Sequence, residues 1–158
     1  MLATLGTVRR DYTHELVARF AKGCRVHLVG SGQLAALAEG ELAGKRVLDA
    51  DILAEIAPCF RGDGRDATDV VAVACTHYPL LLDRLIRLAP WPVTWLDPAP
   101  AIARRVTQLI GDAAAAQVQE RREAAAFFTS GRTPPASLVE ALARHGLRVK
   151  GCEEATTC

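Results

Sequence analysis

The sequence predicts an α/β fold with a largely parallel β-sheet, because two kinds of hydrophobic pattern alternate along the chain. Short apolar runs of strand length are followed by segments in which apolar residues recur every three or four positions. The connections between them are short, as in strand–helix–strand units. Since a parallel sheet binds ligands at the carboxyl ends of its strands, the residues that follow strands are the first candidates for a functional site.

The individual elements follow from these patterns. Tyr12, Leu16 and Phe20 recur at a spacing of four and mark one face of a helix. The run 69–74 is apolar after its first residue, as expected of a strand covered on both faces, and Pro79 suits the first turn of the next helix. We predict strands at 1–4, 25–29, 69–74, 92–96, 124–130 and 147–149. We predict helices at 11–22, 33–38, 47–56, 78–89, 101–110 and 135–146.

The composition excludes several classes of function. Half of the 158 residues are hydrophobic, which is typical of a globular protein. The formal net charge is +1, from 19 basic and 18 acidic residues, so no electrostatic footprint for nucleic acid or an anionic membrane is expected. The apolar runs are too short to span a membrane, and no signal peptide is recognisable. We therefore expect a cytoplasmic protein without nucleic-acid or membrane partners.

The cysteines do not form a recognisable framework. Their number is odd, and no pair has the spacing of a zinc site or a redox motif. We expect no metal site and no disulfide framework, although Cys152 and Cys158 could pair if the tail were oxidised. Most of the five are interpreted as small buried hydrophobic residues: Cys24, Cys59, Cys75, Cys152 and Cys158.

The segment VVAVACTHYPLL (70–81) singles out Cys75. A buried strand is predicted to end at this residue and a helix to begin two or three residues later, where the helix dipole favours a thiolate. Thr76 supplies a hydroxyl and a backbone N–H for a carboxylate, and His77 is close enough to exchange a proton with the thiol. The alternative is a structural cysteine at a strand end, followed by a histidine at a helix N-terminus.

This segment resembles the second catalytic motif of glutamate racemases and of the wider aspartate/glutamate racemase superfamily. LATLGTVRRDYT (2–13) is similar to the start of the family's second lobe, and LAALAEG (34–40) to a stretch with a functional glutamate, here Glu39. TWLDPAPAIARRV (94–106) is similar to the segment that returns to the first lobe. The resemblance covers about residues 1–130 in the right order, which is more specific than one short motif.

The resemblance implies a three-layer, parallel-sheet lobe of the aspartate/glutamate racemase type and a two-base mechanism without a cofactor. One thiol removes the α-proton of the substrate, and a second thiol on the other lobe delivers a proton to the opposite face. Cys75 would be the second-lobe thiol and His77 would assist it. Glutamate would be bound at Cys75, Thr76, Thr7 and Glu39. The alternatives are a solvated carboxylate for Glu39 and a helix N-cap for Thr7.

Half of the family's catalytic machinery is not recognisable. The first-lobe motif Cys-Asn-Thr cannot be present, because the sequence contains no asparagine. We therefore predict that residues 1–96 form a complete second lobe and residues 97–158 an incomplete remainder of the first lobe. An apolar strand in such a partial lobe has an unpaired edge, which favours association with a second copy, so a homodimer is one expected arrangement.

The expected function is that of a cofactor-independent glutamate racemase for peptidoglycan synthesis, truncated and inactive alone. One alternative is a non-catalytic remnant, a racemase-like lobe that binds a ligand without turnover. Another is a racemase of a different small acidic amino acid. Proton exchange at the α-carbon of glutamate discriminates between a catalytic and a non-catalytic lobe.

Overall fold

The computed structural model describes residues 1–111 and 124–151, and it confirms an α/β fold with parallel sheets. The strands are β1 (Leu2–Thr4), β2 (Val29–Ser31), β3 (Val70–Ala74), β4 (Thr94–Leu96), β5 (Ala124–Phe127) and β6 (Leu147–Lys150). The α-helices are α1 (Leu5–Val8), α2 (Asp11–Phe20), α3 (Leu34–Leu42), α4 (Asp49–Ile56), α5 (Leu82–Leu88), α6 (Ala99–Ile110) and α7 (Ala136–Arg144). The suggested pairing of Cys152 with Cys158 lies outside the described residues.

The chain forms two compact units. The first comprises Met1–Gly40 and Arg46–Pro100, and the second comprises Glu41–Lys45 and the described residues from Ala101 onward. The assignment of residues 1–96 and 97–158 to two racemase lobes stays a prediction. No helix in the part of the chain that the structure describes is long and apolar enough to cross a membrane.

The first unit is built on a parallel sheet with the strand order β2-β1-β3-β4. Leu2 of β1 lies between Val29 of β2 and Val73 of β3 in the register. Apolar side chains from the strands and from α3, α4 and α5 form one core, because each element turns its apolar side to the sheet. The largest fully buried members are Tyr78, Leu2, Leu34, Ile52, Ile56, Leu81, Leu85, Val71 and Val73.

The predicted strand at 25–29 is wrong in its position. The ladder begins only at Val29, whose N–H donates to the Met1 carbonyl at 2.9 Å, and β2 continues through Gly30 to Ser31. The short helix α1, which the sequence analysis did not predict, crosses β2 at Gly30. A Cβ atom on Gly30 would lie 2.8 Å from Cγ2 of Val8, so the absence of a side chain at this position permits the close packing of α1 on β2.

The predicted α-helix at 78–89 is wrong in its first turn. Residues Tyr78–Leu81 form a 3₁₀-helix, and α5 begins at Leu82. Tyr78 and Leu81 are both fully buried, and residues three apart lie on the same side of a helix with three residues per turn. The α-helical N-terminus is therefore farther from Cys75 than predicted, and the dipole of α5 does not account for a thiolate at this residue. The other predicted elements are present, with shifted boundaries; α3, for example, extends to Leu42.

The second unit contains a small parallel sheet. β5 and β6 pair from Ala124↔Leu147 to Phe127↔Lys150, and α7 packs against β6. The Ser137 hydroxyl at the start of α7 donates to the carbonyl of Ala43 in the same unit. Among the described residues, this sheet has two strands, and a sheet of that size with one helix buries little apolar area.

This difference predicts unequal protection of the two sheets in hydrogen exchange. β3 lies between β1 and β4, and Val71 and Val73 are buried, whereas most of β5 is exposed. The amides of residues 70–75 should therefore exchange much more slowly than those of 124–130 in a dilute sample. Exchange resolved by mass spectrometry would test this. Equal protection of both strands in a monomer would mean that the two segments share one core and that the two-lobe assignment is wrong.

Candidate active site

The carboxyl edge of the sheet carries the candidate site. Ala3 of β1 pairs with Ala74 of β3, so the next residues along these parallel strands, Thr4 and Cys75, are neighbours at the same edge. Thr4 also pairs with Ser31, the last residue of β2. Two adjacent strands thus end in a hydroxyl side chain and a thiol directly follows the end of the third, at the edge where a parallel sheet binds ligands.

Cys75, His77 and Glu39 form a continuous polar relay. The Sγ atom of Cys75 lies 3.7 Å from Nδ1 of His77. The other ring nitrogen of His77, Nε2, lies 2.9 Å from Oε1 of Glu39 near the end of α3. Two of the predicted catalytic residues and the predicted functional glutamate are therefore brought together, and Glu39 is paired rather than freely solvated.

The two neighbours of His77 favour one tautomer of its neutral ring. An ionised carboxylate only accepts hydrogen bonds, so the proton of a neutral His77 ring lies on Nε2, facing Glu39. Nδ1 is then left as an acceptor for the proton of the Cys75 thiol. Cys75 is half-buried, and the side chains of His77 and Glu39 are 38% and 66% exposed, so small molecules can reach the relay. The arrangement can generate a thiolate and return a proton to it.

Glu55 binds the N-terminal end of α3, the helix that carries Glu39, and it was not among the residues predicted from the sequence. Its Oε2 atom accepts hydrogen bonds from the Ser31 hydroxyl and from the backbone N–H groups of Gly32 and Gln33, the latter two at 3.1 and 3.2 Å. The Ser31 hydroxyl oxygen accepts in turn from the N–H of Leu34 at 2.9 Å. A carboxylate at a helix N-terminus meets unpaired N–H groups and the positive end of the dipole. No local sequence pattern indicates this contact, because 22 to 24 residues separate the partners.

The turn after Cys75 is followed by a residue buried in the core and by a helix that forms ion pairs with α4. Tyr78 is fully buried in the core, and burial raises the pKa of its phenol. In α5, Arg84 and Arg87 both bind Asp49 at the start of α4, with Arg87 Nη1 2.8 Å from Asp49 Oδ2. Hydrogen bonds from Arg87 and Arg84 lower the pKa of Asp49 to about 2, so this carboxylate stays ionised at neutral pH. Tyr78 thus ties the turn to the core, and the two arginines join the following helix, α5, to α4.

The two threonines predicted to bind substrate have different surroundings. Thr76 is exposed and lies between Cys75 and His77. Thr7 lies inside α1, and the N-cap of the next helix, α2, is Arg10, so the N-cap interpretation of Thr7 is wrong. The cap of α1 is Thr4, whose Oγ1 accepts from the Thr7 N–H at 3.3 Å. The Thr7 hydroxyl lies 2.9 Å from the Thr4 hydroxyl, near the end of β1. Thr7 therefore lies near the edge that carries the relay but bonds Thr4.

The remaining described cysteines differ from Cys75 in their surroundings. Cys24 is exposed, and Cys59 is buried in the core. Burial raises the pKa of the Cys59 thiol to about 11. Within residues 1–111 and 124–151, no three His, Cys, Asp or Glu side chains gather as potential metal ligands.

These surroundings predict an order of reactivity toward iodoacetamide at pH 7. Cys75 should be alkylated faster than the exposed Cys24, because His77 can accept its proton and the thiolate is the reacting form. Cys59 should be the slowest, because it is both buried and protonated. Site-resolved peptide mass spectrometry over a time course measures all three rates in one sample. A rate at Cys75 no greater than at Cys24 would show that the relay does not activate the thiol.

Known glutamate racemases are similar to this chain over most of its length. No protein-family model matches the chain. Glutamate racemase from Brucella ovis is 47% identical over 148 residues, which are 94% of this chain and 53% of that protein. The glutamate racemase of Brucella anthropi is 54% identical over 110 residues, which are 70% of this chain and 40% of that protein. The chain spans about half the length of the curated relatives that it matches.

Solved structures give the same result. Escherichia coli glutamate racemase, in complex with L-glutamate and the activator UDP-MurNAc-Ala, has a TM-score of 0.74 and 31% identity over 95% of this chain and 56% of that chain. An isoform from Bacillus anthracis, at 18% identity, supports the fold with a TM-score of 0.67 over 95% of this chain and 55% of that chain.

The parallel-sheet topology and the likeness to these two structures thus define an α/β protein of the aspartate/glutamate racemase fold. The chain is a relative of glutamate racemases and corresponds in extent to about half of one, which confirms the relationship predicted from the sequence.

Proposed function

We propose that this chain supplies one half of a cofactor-independent glutamate racemase site, in which Cys75 transfers the α-proton on one face of the substrate. The observation that carries the proposal is the relay from Cys75 through His77 to Glu39 at the carboxyl edge of the sheet. A thiol is a competent base for a carbon acid only when a neighbour takes its own proton first. The distance of 3.7 Å between Nδ1 of His77 and Sγ of Cys75 supports this role for the histidine.

The remaining predicted site residues receive the substrate. Thr76 is exposed beside the thiol and offers a hydroxyl and a backbone N–H to a carboxylate. Thr7, in the helix that follows the neighbouring strand β1, offers a second hydroxyl, which lies 2.9 Å from that of Thr4 at the strand end. A small dicarboxylic amino acid carries two carboxylates that such groups can orient, and the Escherichia coli relative was solved with L-glutamate bound. Glutamate is therefore the substrate we propose, and D-glutamate for cell-wall peptidoglycan and cell shape is the purpose we expect in a cytoplasmic setting.

Racemisation requires a second base on the opposite face of the α-carbon. This sequence has no Cys-Asn-Thr motif, because it contains no asparagine. We therefore propose that the chain alone exchanges the α-proton of one enantiomer and does not interconvert the two. The missing base would come from a further polypeptide segment or from a second copy of the chain.

The experiment is solvent exchange at the α-carbon. The chain is incubated in D₂O with L-glutamate or, separately, with D-glutamate, and loss of the α-proton signal is followed by proton NMR. We expect Cys75-dependent loss for one enantiomer. Glutamate that binds without exchange of either enantiomer would support the ligand-binding lobe instead, and the proposed function would be wrong.

A further inference from the structure

The relay has the geometry of a nucleophilic site as well as that of a proton-transfer site. A thiol, an imidazole and a carboxylate lie in sequence, with 3.7 Å between Sγ and Nδ1 and 2.9 Å between Nε2 and Oε1. A nucleophile within reach of a base, with the base oriented by a third group, is the arrangement that activates cysteine and serine for covalent catalysis. Covalent catalysis of this kind needs one nucleophile, one base and one orienting group, and Cys75, His77 and Glu39 supply all three.

We propose that Cys75, His77 and Glu39 also catalyse the hydrolysis of small activated esters through an acyl-thioester on Cys75. This activity goes beyond the proposed function and does not depend on it. Cys75 and His77 are half-buried and Thr76 is exposed, so a small acyl group can approach the sulfur atom.

The reaction balances with water as the co-reactant. Nδ1 of His77 takes the thiol proton while Sγ forms a bond to the carbonyl carbon of the ester. The carbon–oxygen bond to the alcohol then breaks, and the alcohol leaves with the proton from His77. Water next attacks the thioester and gives a proton to His77, the carbon–sulfur bond breaks, and the proton returns to the thiol. The net change is one ester and one water converted into one acid and one alcohol.

The turn beside the thiol offers donors for the oxyanion that forms in both steps. The Tyr78 N–H donates to the carbonyl of Cys75 at 3.2 Å. Among the described residues, it is the first N–H after Cys75 that donates to a backbone carbonyl. The N–H groups of Thr76 and His77 precede it, in the same turn as Sγ. Backbone N–H groups beside a developing oxyanion stabilise the transition state of acyl transfer.

The test uses p-nitrophenyl acetate with the intact chain. Release of p-nitrophenolate is followed by absorbance, and site-resolved mass spectrometry records which cysteine is acetylated. We expect Cys75 to be acetylated faster than Cys24, and Cys75-dependent release of p-nitrophenolate to exceed one equivalent per chain.

Four variants identify the residues responsible. Cys75→Ser should abolish that release, and His77→Gln should slow it by about 100-fold or more. Glu39→Gln, at a side chain that is 66% exposed, should slow it as well without unfolding the protein. Cys24→Ser is the matched control and should leave it unchanged.

Two results would overturn the proposal: Cys75-dependent release that stops at one equivalent, or acetylation of Cys75 no faster than that of Cys24. The α-proton exchange of glutamate is measured on the same preparation, so the two proposals can fail separately. Ester turnover without exchange would remove only the racemase-type function. Exchange without ester turnover would remove only the acyl-transfer activity.

Discussion

Replacement of Cys75 by serine should lower the rate of α-proton exchange from glutamate by about 100- to 10,000-fold, the range that a positioned general base contributes. Serine is close in size to cysteine, so the turn and the relay should keep their geometry. Its hydroxyl is a far weaker acid than a thiol, however, and His77 alone cannot generate a useful base from it. Proton NMR in D₂O, with the enantiomer that exchanges in the parent protein, measures the effect directly.

The matched control for this substitution is Cys24→Ser. Cys24 is exposed, and none of the described relay contacts involves it. Its replacement should leave the exchange rate unchanged. An equal loss of exchange in both variants would mean that the effect is general rather than specific to the strand-end thiol.

The second large effect concerns stability. Tyr78, the residue after His77, is fully buried. Tyr78→Ala should therefore lower the free energy of unfolding by about 3–5 kcal/mol, because apolar burial is lost and a cavity remains. Trp91 and Trp95 both belong to the first unit, so their fluorescence in a urea titration reports the unfolding of that unit. The cost is a large part of the total stability of an ordinary domain, about 5–15 kcal/mol.

Tyr12 provides the comparison, since it is the other tyrosine of the chain and is 69% exposed on α2. Tyr12→Ala should change the free energy of unfolding by no more than about 0.5 kcal/mol. A similar loss in both variants would contradict the core assignment, because the two sites would then contribute equally despite their opposite burial.

Much of the fold could be predicted because its signals are local. The apolar run before Cys75 has the length and composition of a covered strand, and it forms β3. The error at 25–29 arose because alternation at Arg25–Val29 looks like a strand, whereas the actual ladder is fixed by the register against β1. The predicted strand stopped before Gly30, and only the packing of Val8 against this glycine explains its place within β2.

The site could be predicted where its residues are close in sequence, and less well where they are not. Cys75 and His77 are two residues apart, so their proximity follows from the motif. The contact of Glu39 with His77 joins α3 to the turn after β3. Only the resemblance to a family singled out Glu39. No sequence pattern indicated the hydrogen bond from Ser31 to Glu55, because this contact depends on how α4 lies beside the start of α3.

The most direct test of the central claim, that this chain carries one base of a two-base site, is the configuration of the glutamate that has exchanged. After incubation in D₂O, chiral chromatography coupled to mass spectrometry separates the enantiomers and measures the deuterium in each. Our account predicts deuterated glutamate of unchanged configuration, because a single thiol removes and returns the proton on the same face. Deuterated glutamate of the opposite configuration, formed by the parent chain and absent with Cys75→Ser, would contradict it and would require a second base within this chain or its assembly.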